Sequence, residues 1–266
     1  MLAGLFTLSA REFRKRNSIL PHRKEIAEQM DGIRINKYLS EAGVCSRREA
    51  DAWVEAGRVR IGEQLAACGD RVPENETVYV DGKAVEPEKE VLVLLVHKPA
   101  GIVCTTTEKQ GKNNIVSFLN YPKRIYPVGR LDKDSSGLLL MTNQGELGNE
   151  ILRARNYHEK EYEVELYGKI KGDFLKKMSR GVYLEELDRT TRSCKVWQTG
   201  ERTFRIILTQ GMNRQIRRMC DALGERVRTL KRVRIMNLLL GDLKPGEYRK
   251  ITEEEMQELS AQLKKG

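Results

Sequence analysis

Two acids stand two residues apart in the stretch Gly129-Arg130-Leu131-Asp132-Lys133-Asp134-Ser135-Ser136-Gly137, which runs straight into the apolar segment Leu138 to Thr142. Carboxylates at the mouth of a buried strand sit where a rigid scaffold can present them to a substrate. Asp132 and Asp134 can be read as a metal pair, as a nucleophile with a bystander, or as two turn residues. Downstream, residues 213–223 carry the period of a helix: Ile216, Met219, Cys220 and Leu223 share a stripe and Gly224 follows it. Arg214, Arg217 and Arg218 lie on its polar side, with Asn213 as the expected cap. Arg217, next to Ile216, falls at the edge of the stripe, where a guanidinium can pair with a partly buried carboxylate and keep it ionised. Tyr162 alternates with Val164 and Leu166 on one face of the segment 159–166; taken alone it reads as a core tyrosine.

A second candidate lies nearer the N-terminus. Ser46-Arg47-Arg48-Glu49 is a capping-box sequence, so a helix should open there. Arg47 and Arg48 then occupy its first turn, where the helix dipole disfavours cations. Either they are solvated, or they hold a phosphate together with the open N–H groups of the helix end.

The elements that must position these residues are legible as periods. Residues 34–43 place Ile35, Tyr38, Leu39 and Ala42 on one helical stripe that stops at Gly43, and a second helix spans 47–56. A short strand is expected at 58–61, and Asp81-Gly82 should turn a hairpin between 77–80 and 83–85. Residues 91–96 form a continuous apolar run suited to a strand buried on both faces, leading to a turn at His97-Lys98-Pro99-Ala100-Gly101. Strands follow at 138–142, 159–166 and 227–235; in the last, Val233 and Ile235 should face one way and Arg232 and Arg234 the other. The mixture makes the class α+β.

Composition narrows the possibilities. Hydrophobic residues at 39% and charged residues at 32% suit a folded protein with a highly charged surface, and no apolar run approaches a membrane span. The net charge is +10, and residues 202–234 hold ten Arg or Lys against two acids, either a solvated face or a polyanion surface. Five scattered cysteines with no C-x-x-C pair, and three histidines, support neither a disulfide framework nor a metal centre; a reducing compartment is expected. Residues 1–32 start apolar and then carry Arg11, Arg14, Arg16, Arg23 and Lys24, a weak match to a transit peptide that reads instead as a loosely ordered extension.

The string from Arg34 to Asp51 (R-I-N-K-Y-L-S-E-A-G-V-C-S-R-R-E-A-D), followed by G-x-V-x-I-G and V-x-V-D-G-K, resembles the α-L RNA-binding domain. That resemblance implies an RNA-facing side carrying Arg34, Lys37, Arg47 and Arg48. K-P-x-G at Lys98, G-R-L-D-x-D-x-x-G-L-L from Gly129, K-E-Y-x-V from Lys160 and N-R-Q-I-R-R-M from Asn213 resemble, in order, the pseudouridine synthases that join such a domain to a catalytic domain. R-I-M-N at Arg234 to Asn237 is most like the members acting on 23S ribosomal RNA. The resemblance implies an extension at 1–32, an α-L domain at 33–86, a linker at 87–90, a catalytic domain at 91–260 with a mixed, largely antiparallel sheet, and a tail at 261–266. It implies Asp132 as the carboxylate at C1′, Arg217 as its ion-pair partner, and Tyr162 stacked on the base. Arg130, Lys98, Arg214 and Arg218 would contact the RNA. The expected partner is 23S ribosomal RNA. A transfer-RNA anticodon stem-loop, small-subunit ribosomal RNA, and a role as a non-catalytic ribosome-assembly factor are the alternatives. No metal, nucleotide cofactor or membrane is expected, and a cytoplasmic monomer is. His97 replaces the asparagine usual before K-P-x-G, which leaves the hydrogen bonding of that turn open.

Overall fold

The computed structural model describes residues 32–88, 90–106, 113–153 and 157–264. The extension read at 1–32 lies, apart from Gly32, outside them. The chain divides into two compact units, the first ending at Lys89 and the second beginning at Glu90. Among the described residues, no helix is long and apolar enough to cross a membrane.

In the first unit β1 (Ile33–Arg34) leads directly into α1 (Ile35–Glu41), and α2 (Arg47–Glu55) follows. The capping box forms in full: Ser46 Oγ accepts from Glu49 N at 3.2 Å, and Glu49 Oε2 accepts from Ser46 N at 2.7 Å. Then come β2 (Val59–Ile61), β3 (Gln64–Leu65), β4 (Arg71–Val72), β5 (Val78–Val80) and β6 (Lys83–Val85). β4 pairs with β1, and the others form a sheet in the order β3-β2-β5-β6. Asp81 at φ 49° and Gly82 at φ 77° both take positive φ, the signature of the tight turn whose twist suits a hairpin. Ile35, Leu39, Ala50, Val54, Val59 and Val78 form a core. Tyr38 is only partly buried, and its hydroxyl donates to Val85 O at 3.0 Å.

The second unit is built on one nine-stranded sheet. Its elements are β7 (Val93–Lys98), α3 (Ile115–Leu119), β8 (Tyr126–Val128), β9 (Ser136–Thr142), α4 (Gly145–Leu152) and β10 (Lys160–Leu166). After these come α5 (Phe174–Arg180), β11 (Tyr183–Leu184), β12 (Arg189–Thr190), β13 (Lys195–Gln198) and β14 (Thr203–Leu208). α6 (Gln215–Ala222), β15 (Val227–Ile235), β16 (Leu238–Leu239), β17 (Tyr248–Lys250) and α7 (Glu253–Leu263) complete it. The sheet runs β13-β14-β10-β15-β9-β7-β17, with β16 beside β15 and β8 beside β9. Its pairs are antiparallel except β15 with β9, so it is mixed and largely antiparallel.

β7 and β9 are covered on both faces, which is why they read as unbroken apolar runs. Leu94, Val96, Leu139 and Met141 pack with Ile115 on one side. Leu95, Leu138 and Leu140 pack with Ile235 and Leu259 on the other. A third core lies between β10, β14, α5 and α6. Three expectations need correction. His97 and Lys98 are the last residues of β7 rather than part of a turn, which begins at Pro99. α7 runs to Leu263, past the end expected at 260, because Leu263 still packs on the core around Leu259. In β15 a bulge sets Tyr162 opposite Arg232 but Glu161 opposite Arg234, so the two arginines point to opposite faces.

Candidate active site

The Asp132 loop connects β8 to β9 and is held from below by Lys98. This lysine is fully buried, and its ammonium donates to Pro99 O and Ile102 O, each at 2.8 Å, and to Lys133 O at 3.5 Å. Gly101 N donates to the same Lys133 carbonyl at 2.6 Å. Burial lowers the Lys98 pKa against the raising charges of neighbours that include Asp132 and Asp134. Three carbonyls compensate the ammonium, so Lys98 staples K-P-x-G to the acidic loop and does not reach RNA as expected. His97 supplies the other side of this strand end: its Nδ1 lies 2.6 Å from Leu243 O, and its backbone bonds to Gly246 and Glu247.

Gly137 explains how the loop reaches β15. The parallel contact puts Gly137 opposite Arg232, and a Cβ at 137 would lie 2.2 Å from Arg232 O. With φ at +107° as well, only glycine fits.

The arginines are arranged differently from the expected pairing. Arg217 pairs with Asp134, not Asp132: its Nε lies 3.3 Å from Asp134 Oδ2, and its other nitrogens donate to Asp134 O (3.2 Å), Ser135 Oγ (3.5 Å) and Val227 O (3.4 Å). Arg214 is the cation facing Asp132, with Nη1 3.9 Å from Asp132 Oδ2. The same guanidinium donates to both oxygens of Asp134 at 3.1 and 3.3 Å. The physical reason is backbone. Arg214, at φ 50° and ψ 33°, is itself the residue before α6, and this left-handed turn swings its side chain toward the acidic loop. Such a conformation costs a non-glycine residue about 1 kcal/mol or more and persists where its surroundings enforce it. Asp134 is thus bridged by two arginines. Partial desolvation would raise its pKa, but the Arg214 hydrogen bond and the Arg217 and Arg214 charges hold it below the ordinary range.

Asn213 does not cap α6; its carbonyl and Oδ1 accept from Arg218 Nη1. Arg218 also pairs with Glu186 at 2.8 Å, so it is engaged within the protein rather than directed at RNA. The basic window is largely self-neutralised in the same way. Arg205, Arg228, Lys231 and Arg234 pair with Glu159, Glu161, Glu163 and Glu165 on the back face of β10.

These elements enclose a cleft of about 500 Å³. Asp132, exposed Arg130, Tyr162, Lys160, Gln210, Arg214 and buried Arg232 line it. Tyr162 is half-buried against two cores, and its hydroxyl has no partner among the described residues. Lys160, Gln210 and Arg232 were not singled out from sequence. Period-2 alternation with Tyr162 would have found Lys160; nothing in the sequence marks the bulge that turns Arg232 inward. In the first unit Arg34, Arg47 and Arg48 are exposed without an ion-pair partner among the described residues, and Lys37 lies 3.9 Å from Glu41. Among the described residues there is no cluster of three or more His, Cys, Asp or Glu that could hold a metal.

Residues 92–222 match the RNA pseudouridylate synthase family and residues 33–78 the S4 domain. The dual-specificity RNA pseudouridine synthase RluF of Escherichia coli strain K12 is 49% identical over 229 residues, covering 85% of this chain and 78% of its own. The chain belongs to the RNA pseudouridylate synthase family. Ribosomal large subunit pseudouridine synthase B of Bacillus subtilis is 35% identical to this synthase over 234 residues, covering 86% of this chain and 96% of its own. A crystal structure of a pseudouridylate synthase aligns at a TM-score of 0.63 with 26% identity, covering 85% of this synthase and 99% of that chain. The enzyme class is therefore that of an isomerase acting on RNA, built from an S4 unit and a synthase unit.

Proposed function

We propose that this synthase converts a uridine of 23S ribosomal RNA to pseudouridine, with Asp132 as the carboxylate at C1′. The observation that carries the reading is the cleft itself. It has room for one flipped nucleotide, one carboxylate at its wall with a guanidinium 3.9 Å away, and an aromatic ring alongside. The N1–C1′ bond breaks with its electron pair leaving on the ring. Asp132 either bonds to C1′ or takes a proton from C2′ to leave a glycal. The ring turns and C5 bonds to C1′ as the Asp132–C1′ bond breaks, or as C2′ of the glycal takes its proton back from Asp132; the C5 proton is then lost and N1 gains one. Tyr162 stacks on the base and holds it through the turn. The Arg214 guanidinium faces the Asp132 carboxylate, and Arg217 acts through Asp134. Extracting the base from folded RNA costs a few kcal/mol, which half-buried Lys37 and exposed Arg34, Arg47, Arg48 and Arg130 offset by phosphate contacts.

The name of the RluF relative, a dual-specificity enzyme, favours a second RNA substrate, and a transfer-RNA anticodon stem-loop is the proposed one. Mapping pseudouridines across ribosomal and transfer RNA from a deletion strain tests both; an intact 23S pattern would remove the first. Asp132→Asn should reduce tritium release from C5-labelled uridine by at least about a hundredfold while RNA binding stays within several-fold. Turnover near wild type would remove Asp132 from the chemistry.

A further inference from the structure

The cleft is also lined by cations that neither the Asp132–Arg214 pair nor the phosphate contacts use. Arg232 is buried, its Nε donates to Leu138 O at 2.7 Å, and its Nη2 has no hydrogen-bond partner among the described residues. Lys160 is half-buried, and its ammonium has one carbonyl partner among the described residues, His158 O at 3.3 Å. Neither side chain has a carboxylate partner among the described residues. Gln210 Nε2, at the same cleft, is a third buried donor left open. Burial and the Arg232 charge push Lys160 down to about 8, as expected of two cations sharing a poorly solvated space with no counter-charge. Placing a cation there without a partner is costly, and in a working cleft it is compensated by an anion that arrives with the substrate.

Which anion follows from the sheet. Arg232 is the direct cross-strand neighbour of Tyr162, and Lys160 lies two residues before Tyr162 on the same face. Directly opposed Cβ atoms are about 5 Å apart, so whatever ring lies against Tyr162 lies against Arg232. Arg232 is also buried, whereas the phosphates of a flipped nucleotide stay with the RNA backbone at the surface.

We infer that Arg232 and Lys160, aided by Gln210, form an oxyanion site for the uracil ring at the moment it is detached. This rests on the proposed cleavage of the N1–C1′ bond. In that step the bonding pair stays with the ring, whose negative charge spreads over N1, O2 and O4, while C1′ bonds to Asp132 or is relieved by loss of its C2′ proton. Fixed donors aimed at charge that exists only after the bond breaks stabilise the transition state more than the bound substrate.

The test varies the charge demand of the ring. Arg232→Met and Lys160→Met are compared with wild type in single-turnover reactions at saturating enzyme, on one RNA carrying either uridine or 5-fluorouridine at the target. Fluorine at C5 helps the ring carry negative charge, so donors matter less. The nucleoside product is read after nuclease digestion and chromatography, and Kd is measured in parallel. Each variant should lose about tenfold or more on uridine and several-fold less on 5-fluorouridine, with Kd within twofold. Equal losses on both RNAs, or no loss, would overturn the inference. So would a defect confined to Kd and restored by lowering salt, which would mark a backbone phosphate contact. Urea unfolding checks both variants; should Arg232→Met not fold, Lys160→Met, which removes the ammonium and keeps the apolar stem, decides the matter. A wild-type protein inactive on every RNA would fail the proposed function instead, a result distinguishable from either.

Discussion

Exchanging the two arginines for lysine should separate chemistry from stability. Arg214 touches Asp134 with two nitrogens while its Nη1 stands 3.9 Å from Asp132. At that distance a charge pair is worth about 1 kcal/mol in water and about 4 kcal/mol at the effective dielectric of a protein surface. A lysine has one nitrogen and cannot hold Asp134 and face Asp132 together. Arg214→Lys should therefore lower single-turnover tritium release by roughly tenfold to a few hundredfold, with the urea midpoint nearly unchanged. Arg217 is buried and serves two carbonyls, the Ser135 hydroxyl and the Asp134 carboxylate at once. Arg217→Lys leaves one or two of these acceptors unmet, at about 1–3 kcal/mol each where they are buried. It should therefore lose about 2–3 kcal/mol of stability, with a smaller effect on rate than Arg214→Lys. If Arg217→Lys proved the slower enzyme at unchanged stability, the pairing of Arg214 with Asp132 would not describe the working site.

Three further outcomes are expected. Replacing Arg47 and Arg48 by alanine should flatten the salt dependence of RNA binding by about two phosphate contacts; filter binding across a salt series on long structured RNA reads this, and an unchanged slope would make them solvated surface. Gly137→Ala, with its Cβ 2.2 Å from Arg232 O and φ at +107°, should part β9 from β15 and yield little soluble protein; a wild-type urea midpoint would contradict the geometry. Lys160 falls to about 8 in the folded chain from an ordinary 10.5. Between those values the unfolded chain binds more protons, so stability rises with pH across that window. Urea titrations should show this gain in wild type and a smaller one in Lys160→Met; equal slopes would mean that Lys160 is solvated.

Much of the scaffold was legible because it obeys local rules. The Ser46–Glu49 box caps α2, Asp81-Gly82 turns its hairpin, and β7 and β9 are apolar throughout because both faces are covered. The motifs also located the cleft, since Asp132, Tyr162 and the start of α6 converge there. What the pattern missed was decided by single backbone irregularities. A left-handed Arg214 exchanges the roles of two arginines, and a bulge beside Val233 sends Arg232 inward. Lys98 reads as a free cation in a linear motif, and only the folded turn shows three carbonyls around it.

The β9–β15 contact has a consequence for the order in which this enzyme becomes active. Asp132 enters the cleft from the β8–β9 connection, whereas Tyr162, Arg214 and Arg232 belong to β10, the β14–α6 connection and β15. The two groups are joined through the parallel pairing of Ser136 and Gly137 with Lys231 and Arg232, segments far apart in the chain. Contacts of such separation are slow to form, because loop entropy is lost before they repay it. A nascent chain that has not yet emitted β15 cannot bring Asp132 beside Tyr162 and Arg232. The cleft is therefore completed in one late step, when the last long strand docks.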